Sequence, residues 1–105
     1  MDQEALEFLN MFNPQLEQLA VLTNLHAFRE PRIRSVIDGL FRDLRGFVSA
    51  IELSEAKSSY FVFFTWFYPH MPILLRALEA NYDNPVSTTI LKFFAEFVLN
   101  RAQRL

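Results

Sequence analysis

The sequence predicts an all-α protein, and three of its features favour helices over strands. Only two of the 105 residues are glycine, which leaves few positions for turns that require a positive φ. Apolar residues between Ile33 and Ile51 recur at steps of three and one, so they form one stripe along a helix. Prolines stand where helices are expected to begin. The predicted architecture is a single unit, residues 1–105, of antiparallel helical hairpins.

Prolines divide the chain into its predicted helices. Asn13 and Asn84 each precede a proline; asparagine is a good N-cap, and proline suits the first helical turn. Glu30 and Tyr68 precede two further prolines and mark boundaries with less typical caps. The predicted helices cover residues 2–12, 14–27, 31–51, 56–82 with a break near Pro69 and Pro72, and 85–103.

The helix predicted over residues 31–51 has the clearest apolar side. Leu40, Leu44 and Phe47 lie on this stripe, and we expect them to be buried. Phe97 of the last predicted helix should be buried with them. The prediction for Leu44 is the one most easily tested by truncation, because removing a buried leucine leaves a cavity.

The two other sides of this helix differ from each other. Arg34 and Arg42 are expected to be exposed, and Asp38 precedes Arg42 by four residues, a spacing worth roughly 0.2–0.5 kcal/mol as an ion pair. The third side carries only small residues, Gly39, Gly46 and Ala50. Because a glycine in a helix interior costs about 1 kcal/mol relative to alanine, we expect a neighbouring helix to approach this side closely.

The last predicted helix is apolar over a broad arc that includes Val86, Ile90, Phe93, Phe97 and Val98. A helix with so wide an apolar surface needs neighbours on more than one side. Stacked arrays of helical hairpins provide such neighbours, and hairpins of roughly 40 residues, as in HEAT repeats, fit the spacing of the predicted helices. The sequence itself shows no convincing internal repeat.

Residues 60–68, which read YFVFFTWFY, have high β-propensity and resemble a strand on that criterion alone. We favour a buried helix, because no other segment offers a partner strand. Together with residues 71–75, the apolar run is about 16 residues long and is interrupted by prolines, short of the roughly 20 that a membrane-spanning helix needs. No membrane span is therefore predicted.

Residue types needed for catalysis or cofactor binding are missing or poorly spaced. The chain has no cysteine, which excludes disulfides, thiolate metal sites and a cysteine nucleophile. Two glycines cannot build a phosphate-binding loop, and His26 and His70 lack the spacing of a metal-binding pair. The formal net charge of −2 argues against a nucleic-acid-binding protein. We therefore predict no enzyme, no cofactor and no metal site.

Three ordered blocks of the sequence form a specific signature. They are Arg42-Asp43-Leu44-Arg45-Gly46; Trp66-Phe67-Tyr68-Pro69 with Met71-Pro72-Ile73-Leu74 and Arg76-Ala77-Leu78-Glu79; and Thr88-Thr89, Leu91-Lys92 and Ala95-Glu96 with Asn100-Arg101-Ala102-Gln103-Arg104-Leu105. These blocks resemble the exportin-7 and Ran-binding protein 16/17 family over about residues 33–105. Ile90 departs from the proline that usually follows the paired threonines, and Thr65 stands where an acidic residue is common.

The resemblance implies an internal fragment of a HEAT-type α-solenoid that acts as scaffold within a nuclear export receptor. Such receptors bind Ran-GTP and protein cargo, contact Phe-Gly nucleoporins and shuttle between nucleus and cytoplasm through the nuclear pore; they catalyse no covalent chemistry. No Ran-contact residue is assigned. The matching positions are expected to be structural or to form a partner surface: Arg42, Asp43, Arg45, Gly46, Trp66, Tyr68, Pro69, Pro72, Asn100, Arg101 and Arg104.

The alternative is an independent helical adaptor whose Phe-rich face docks a partner helix. In a solenoid, each repeat covers the apolar face of the next, so an isolated segment exposes apolar ends. We therefore expect the isolated chain to self-associate or to be a molten, easily proteolysed monomer. A monodisperse monomer with a sharp cooperative melt would favour the adaptor.

Overall fold

Six α-helices and two short 3-10 segments run through the residues that this computed structural model describes, 2–54 and 57–104, with side chains at 3–51 and 60–99. In chain order the elements are α1 (Asp2–Asn10), α2 (Asn13–Ala20), a first 3-10 turn (Leu25–Arg29), α3 (Pro31–Ser54), α4 (Lys57–Phe67), a second 3-10 turn (Tyr68–His70), α5 (Met71–Ala80) and α6 (Val86–Arg104). No strand occurs within these ranges, which confirms the predicted all-α fold. Residues 60–67 of the aromatic stretch lie in α4.

The helix predicted over residues 14–27 is too long. Helix α2 ends at Ala20, and the chain turns before it re-enters helical geometry. Asn24 has extended backbone angles, and its Oδ1 accepts a hydrogen bond from the His26 N–H at 2.8 Å. This cap starts a separate 3-10 turn, because an asparagine side chain competes with the backbone for local hydrogen bonds.

The two Asn-Pro pairs differ in how they start a helix. Asn84 caps α6, because its Oδ1 accepts a hydrogen bond from the Val86 N–H at 3.0 Å. Asn13 does not cap α2; it is the first helical residue, and Phe12 before it already has helical backbone angles. The chain reaches α2 from α1 nearly helical, and the Leu16 N–H donates to the Phe12 carbonyl at 3.1 Å. The predicted cap at Asn13 is therefore wrong.

Helices α3 and α6 lie side by side and run in the same direction. The Thr89 hydroxyl donates to Asp38 Oδ1 at 2.6 Å. About one turn further along both helices, the ring centroids of Phe41 and Phe93 lie 5.4 Å apart. Because the contacts advance together along both helices, α3 and α6 are parallel.

Helix α4 packs against this pair and runs the opposite way. The Phe67 ring at the end of α4 lies 5.0 Å from Phe93, whereas the Tyr60 ring nearer its start lies 6.4 Å from Phe97. The Tyr60 hydroxyl donates to the Phe97 carbonyl at 2.9 Å. Helices α4 and α6 are therefore antiparallel.

A second layer is completed by α1 and α2, which lie beside α4 and α5. The Phe12 ring lies 6.4 Å from Trp66, and a small cavity further along is lined by Leu16 and Glu17 of α2 together with His70. The molecule thus has two layers, α3 with α6 and α1–α2 with α4–α5. Along the chain the helices alternate between the layers, which is the arrangement of stacked HEAT-like hairpins.

The two halves of the chain repeat one pattern. In the first unit, residues 2–54, the pair α1–α2 leads through a turn to α3; in the second unit, residues 57–104, the pair α4–α5 leads through a loop to α6. The buried residues Ile33, Ile37, Leu40 and Leu44 are matched by Val86, Ile90, Phe93 and Phe97, each 53 positions later. The predicted repeat of roughly 40 residues is too short, because the first helix of each unit is divided in two.

The core lies between the layers and is rich in aromatic rings. Leu40, Leu44 and Phe97 are buried, as predicted. Phe47 is only half-buried, which corrects the prediction: it lies at the edge of the core, where its ring faces Phe63 at 5.6 Å. Among the described residues, no helix combines the length and apolar character needed to cross a membrane.

Candidate interaction surface

A fully buried asparagine, Asn81, joins the first unit to the second. Its Nδ2 donates to the carbonyl oxygens of Phe28 at 3.0 Å and Ala77 at 2.9 Å, and its Oδ1 accepts from Arg34 Nε at 2.7 Å. Both polar atoms of the amide are thus satisfied, as burial requires. Arg34 is half-buried, which corrects its predicted exposure, because its guanidinium reaches this amide.

An ion pair lies next to this amide. Arg29 Nη1 and Nη2 donate to Asp83 Oδ1 and Oδ2 at 2.9 and 3.2 Å, and Nη1 also donates to the Ala80 carbonyl. The hydrogen bond from Arg29 lowers the pKa of Asp83 from its usual 3.8. Arg29 belongs to the first unit and Asp83 to the loop of the second. We call Arg29, Arg34, Asn81 and Asp83 the polar joint, since together they fix the spacing of the two units.

The flanks of the contact between α3 and α6 are polar. Asp38 accepts the hydrogen bond from Thr89 and also pairs with Arg42, so the predicted ion pair is present and Arg42 is exposed, as predicted. One turn further on, Arg45 lines a small cavity with Lys92 and Glu96. Charged and hydroxyl groups therefore meet where the two units stack.

An open groove lies at the opposite side of α3, between α3 and the α1–α2 pair. Its volume is about 620 Å³. The residues of this α1–α3 groove are Phe8, Met11, Phe12, Gln15, Arg42, Asp43, Gly46, Phe47 and Ala50. The ring of Phe8 on α1 stacks on the ring of Phe47 on α3 at 5.4 Å, and Met11 is 69% exposed. The groove is mostly apolar and reaches solvent.

Glycine leaves open space in this region. Apart from its chain neighbours and the backbone of its own helical turns, a Cβ at Gly39 or Gly46 would meet no described atom within 4 Å. The predicted close approach of a neighbouring helix therefore does not occur among the described residues. The physical reason is that α6 packs on the other side of α3, against Asp38 and Phe41.

A second apolar surface lies at the far end of the stack, on α4 and α6. Exposed side chains on it include Phe61 and Tyr68, which are 58% and 61% exposed. The residues of this α4–α6 face are Phe61, Phe64, Tyr68, Leu91, Phe94 and Val98. Phe64 links α4 to α6, because its ring stacks on Phe97 at 5.6 Å. The same ring contacts Tyr68, in the second 3-10 turn, at 5.6 Å.

The positions singled out from the sequence divide between these surfaces. Arg42, Asp43 and Gly46 line the α1–α3 groove, whereas Arg45 lies at the α3–α6 contact. Tyr68 is exposed on the α4–α6 face. The structure therefore does not bring these positions together into one site.

The remaining positions have other surroundings. Trp66 is half-buried and packs on Phe12, which ties α4 to the first unit. Pro69 and Pro72 are exposed at the bend between α4 and α5. The side chains of three predicted positions in α6 lie outside the described residues: Asn100, Arg101 and Arg104.

The two histidines lie on different 3-10 turns. His70 packs on Trp66 with ring centroids 5.3 Å apart, and burial lowers the pKa of His70 from its usual 6.5. His26 is exposed on the first 3-10 turn. Within residues 3–51 and 60–99, no group of three or more side chains is arranged to hold a metal ion.

Comparison with known proteins identifies relatives that are named exportin-7 or Ran-binding protein 16 or 17. The chain is 42% identical over 106 residues to exportin-7-B of Xenopus laevis, covering 99% of this chain and 10% of that protein. It is 44% identical over 80 residues to Ran-binding protein 17 of Mus musculus, covering 74% and 7%, and 40% identical over 108 residues to Ran-binding protein 16 of Drosophila melanogaster, covering 99% and 10%. The chain thus spans about a tenth or less of the length of these relatives. No protein-family model and no solved structure matches it.

Proposed function

Because the chain is homologous to a segment of exportin-7 and Ran-binding proteins 16 and 17, we propose that it forms scaffold of a nuclear transport receptor. In this proposal the whole receptor carries protein cargo out of the nucleus in a Ran-GTP-dependent way. It contacts Phe-Gly nucleoporins as it shuttles between nucleus and cytoplasm. The segment itself catalyses no reaction.

The observation that carries the proposal is the repetition of one helical unit. The parallel contact between α3 and α6, with equivalent buried residues in both, is how consecutive repeats of a solenoid stack. The polar joint and the aromatic core hold the two units at a fixed spacing. A rigid spacer of this kind sets the curvature of a superhelix, and curvature shapes the concave surface that binds partners.

A chimaera tests the proposal directly. The matching segment of exportin-7-B is replaced by this chain, and binding of the chimaera to Ran-GTP and to cargo is measured by pull-down. We expect binding close to that of exportin-7-B, and we expect a second chimaera that carries Leu44→Asp to lose it. A folded chimaera that binds neither partner would overturn the proposal.

The adaptor remains the second candidate, and the α1–α3 groove favours it. A groove lined by Phe8 of α1 and by Gly46 and Phe47 of α3 has the apolar surface to receive an amphipathic helix. The two proposals differ in what the chain does alone. An adaptor should be a stable monomer that binds a peptide, whereas a solenoid segment should associate through the α1–α3 groove and the α4–α6 face.

A further inference from the structure

The α1–α3 groove and the α4–α6 face lie at opposite ends of the stacked units. On α6, Leu91 and Val98 lie about 100–180° around the helix from Thr89, Lys92 and Glu96, which line the contact with α3. Leu91 and Val98 therefore point away from the first unit. They extend the α4–α6 face and are about half exposed.

The same geometry holds at the other end. On α3, Gly46 and Ala50 lie about 140–180° around the helix from Phe41, which packs against α6. Gly46 and Ala50 both line the α1–α3 groove and are exposed. Each outer face is thus built by the side of a helix that the internal contact does not use.

The two outer faces are complementary in shape. The α4–α6 face projects large side chains, with Phe61, Tyr68 and Val98 exposed. The α1–α3 groove instead offers open space of about 620 Å³ above Gly46 and Ala50. Apolar side chains predominate on both faces, although Gln15, Arg42 and Asp43 also line the groove. The projecting apolar side chains of one face therefore fit the open, mostly apolar space of the other.

The fold itself shows how such faces meet. Within the chain, α3 lies parallel to α6 and packs in the groove between α6 and α4. The α1–α3 groove is the equivalent groove of the first unit. A helix placed there in the orientation that α3 has on α6 would run parallel to α3. In a second copy, α6 is the helix that carries the matching exposed face.

We propose that two copies of this chain stack head to tail, with the α4–α6 face of one copy in the α1–α3 groove of the next. The inference rests on the proposed function, because it treats the chain as a solenoid segment whose stacking rule continues between molecules. The two faces are different surfaces, so each added copy presents a further groove or face to the next copy and the contact does not close. The chain should therefore form open rows rather than a discrete dimer.

Sedimentation equilibrium of the full chain and two single variants tests the stacking. Ala50→Glu places a charge in the groove, and Val98→Glu places one on the opposite face. Both positions are exposed, so both variants should fold. Wild type should show a mass that rises continuously with concentration, and each variant alone should remain a monomer. Val21→Glu, a matched change at an exposed turn outside both faces, should associate like wild type.

An equal mixture of the two variants is the decisive sample. Ala50→Glu keeps an intact α4–α6 face, and Val98→Glu keeps an intact groove, so the mixture should form one-to-one dimers and nothing larger. A dimer formed by either variant alone would show a symmetric contact and overturn the proposal. So would a mixture that stays monomeric while circular dichroism shows both variants folded. A monomeric wild type would also overturn the stacking, whereas the receptor chimaera would be unaffected.

Discussion

The contact between the two units combines an aromatic core with specific polar pairs, whereas the outer faces of the stack are mostly apolar. Where α3 meets α6, Asp38 and Thr89 pair through their side chains, and the polar joint adds the buried amide of Asn81. The outer faces carry Phe61, Tyr68 and a mostly apolar groove. Polar pairs specify one register, because a shifted neighbour would leave buried groups unsatisfied. Apolar faces specify the register of a neighbouring unit less strictly, and their burial drives the association of two copies.

Among the changes at the contact between the two units, truncation of a core side chain should lower the free energy of unfolding most. Leu44 has no exposed surface, so Leu44→Ala should lower the free energy of unfolding by about 2–5 kcal/mol. Urea unfolding of a non-associating variant, Val98→Glu, provides the background for the measurement. A loss below about 0.5 kcal/mol would show that Leu44 does not occupy a core position.

Loss of the polar joint should lower the free energy of unfolding by the second largest amount. Asn81→Ala removes the partner of Arg34 and of two carbonyl groups, so it should cost about 1–3 kcal/mol. Gln15→Ala, at an exposed position of the first unit, is the control and should stay within about 0.5 kcal/mol. If both variants unfold alike in urea, Asn81 does not hold the units together.

Filling the open side of α3 should stabilise the monomer. The space next to Gly39 is empty within 4 Å of the described atoms, so Gly39→Ala should gain about 0.5–1 kcal/mol from helix propensity alone. Thermal unfolding on the Val98→Glu background measures this gain. A destabilised Gly39→Ala variant would indicate that a helix does approach this side, as the sequence first suggested.

The smallest expected effect is a dependence on pH. Burial lowers the pKa of His70 in the folded chain below its usual 6.5. Between that lowered pKa and pH 6.5, the unfolded chain therefore binds more protons than the folded chain. The contribution of His70 to stability is therefore complete above about pH 6.5 and falls as the pH drops towards the folded pKa. Melting temperatures between pH 7.5 and 5.5 should fall less for His70→Gln than for the parent.

The helices were predictable because their signals are local. The three-and-one spacing up to Ile51 and the cap at Asn84 depend on neighbours a few residues away. The repeat escaped detection because Ile33, Leu40 and Leu44 recur as different apolar residues, Val86, Phe93 and Phe97, which fill equivalent space without matching letters.

The polar joint and the α1–α3 groove were not predictable from the sequence. The run of residues 81–85, NYDNP, is a turn signal that marks the end of α5. Nothing in it shows that Arg29 and Arg34, far earlier in the chain, reach Asn81 and Asp83. The exposure of Phe47 and the space beside Gly46 likewise depend on which side of α3 is covered, and that is decided by the packing of α6.

The central claim, that the two units stack with α3 and α6 parallel and in one register, is tested most directly by cross-linking. The chain has no cysteine, so cysteines introduced in pairs give an unambiguous signal. A short thiol cross-linker should join Asp38→Cys to Thr89→Cys, whose native side chains form a 2.6 Å hydrogen bond. It should not join Asp38→Cys to Leu99→Cys, about 15 Å further along α6. Efficient joining of the second pair and not the first would contradict the parallel arrangement.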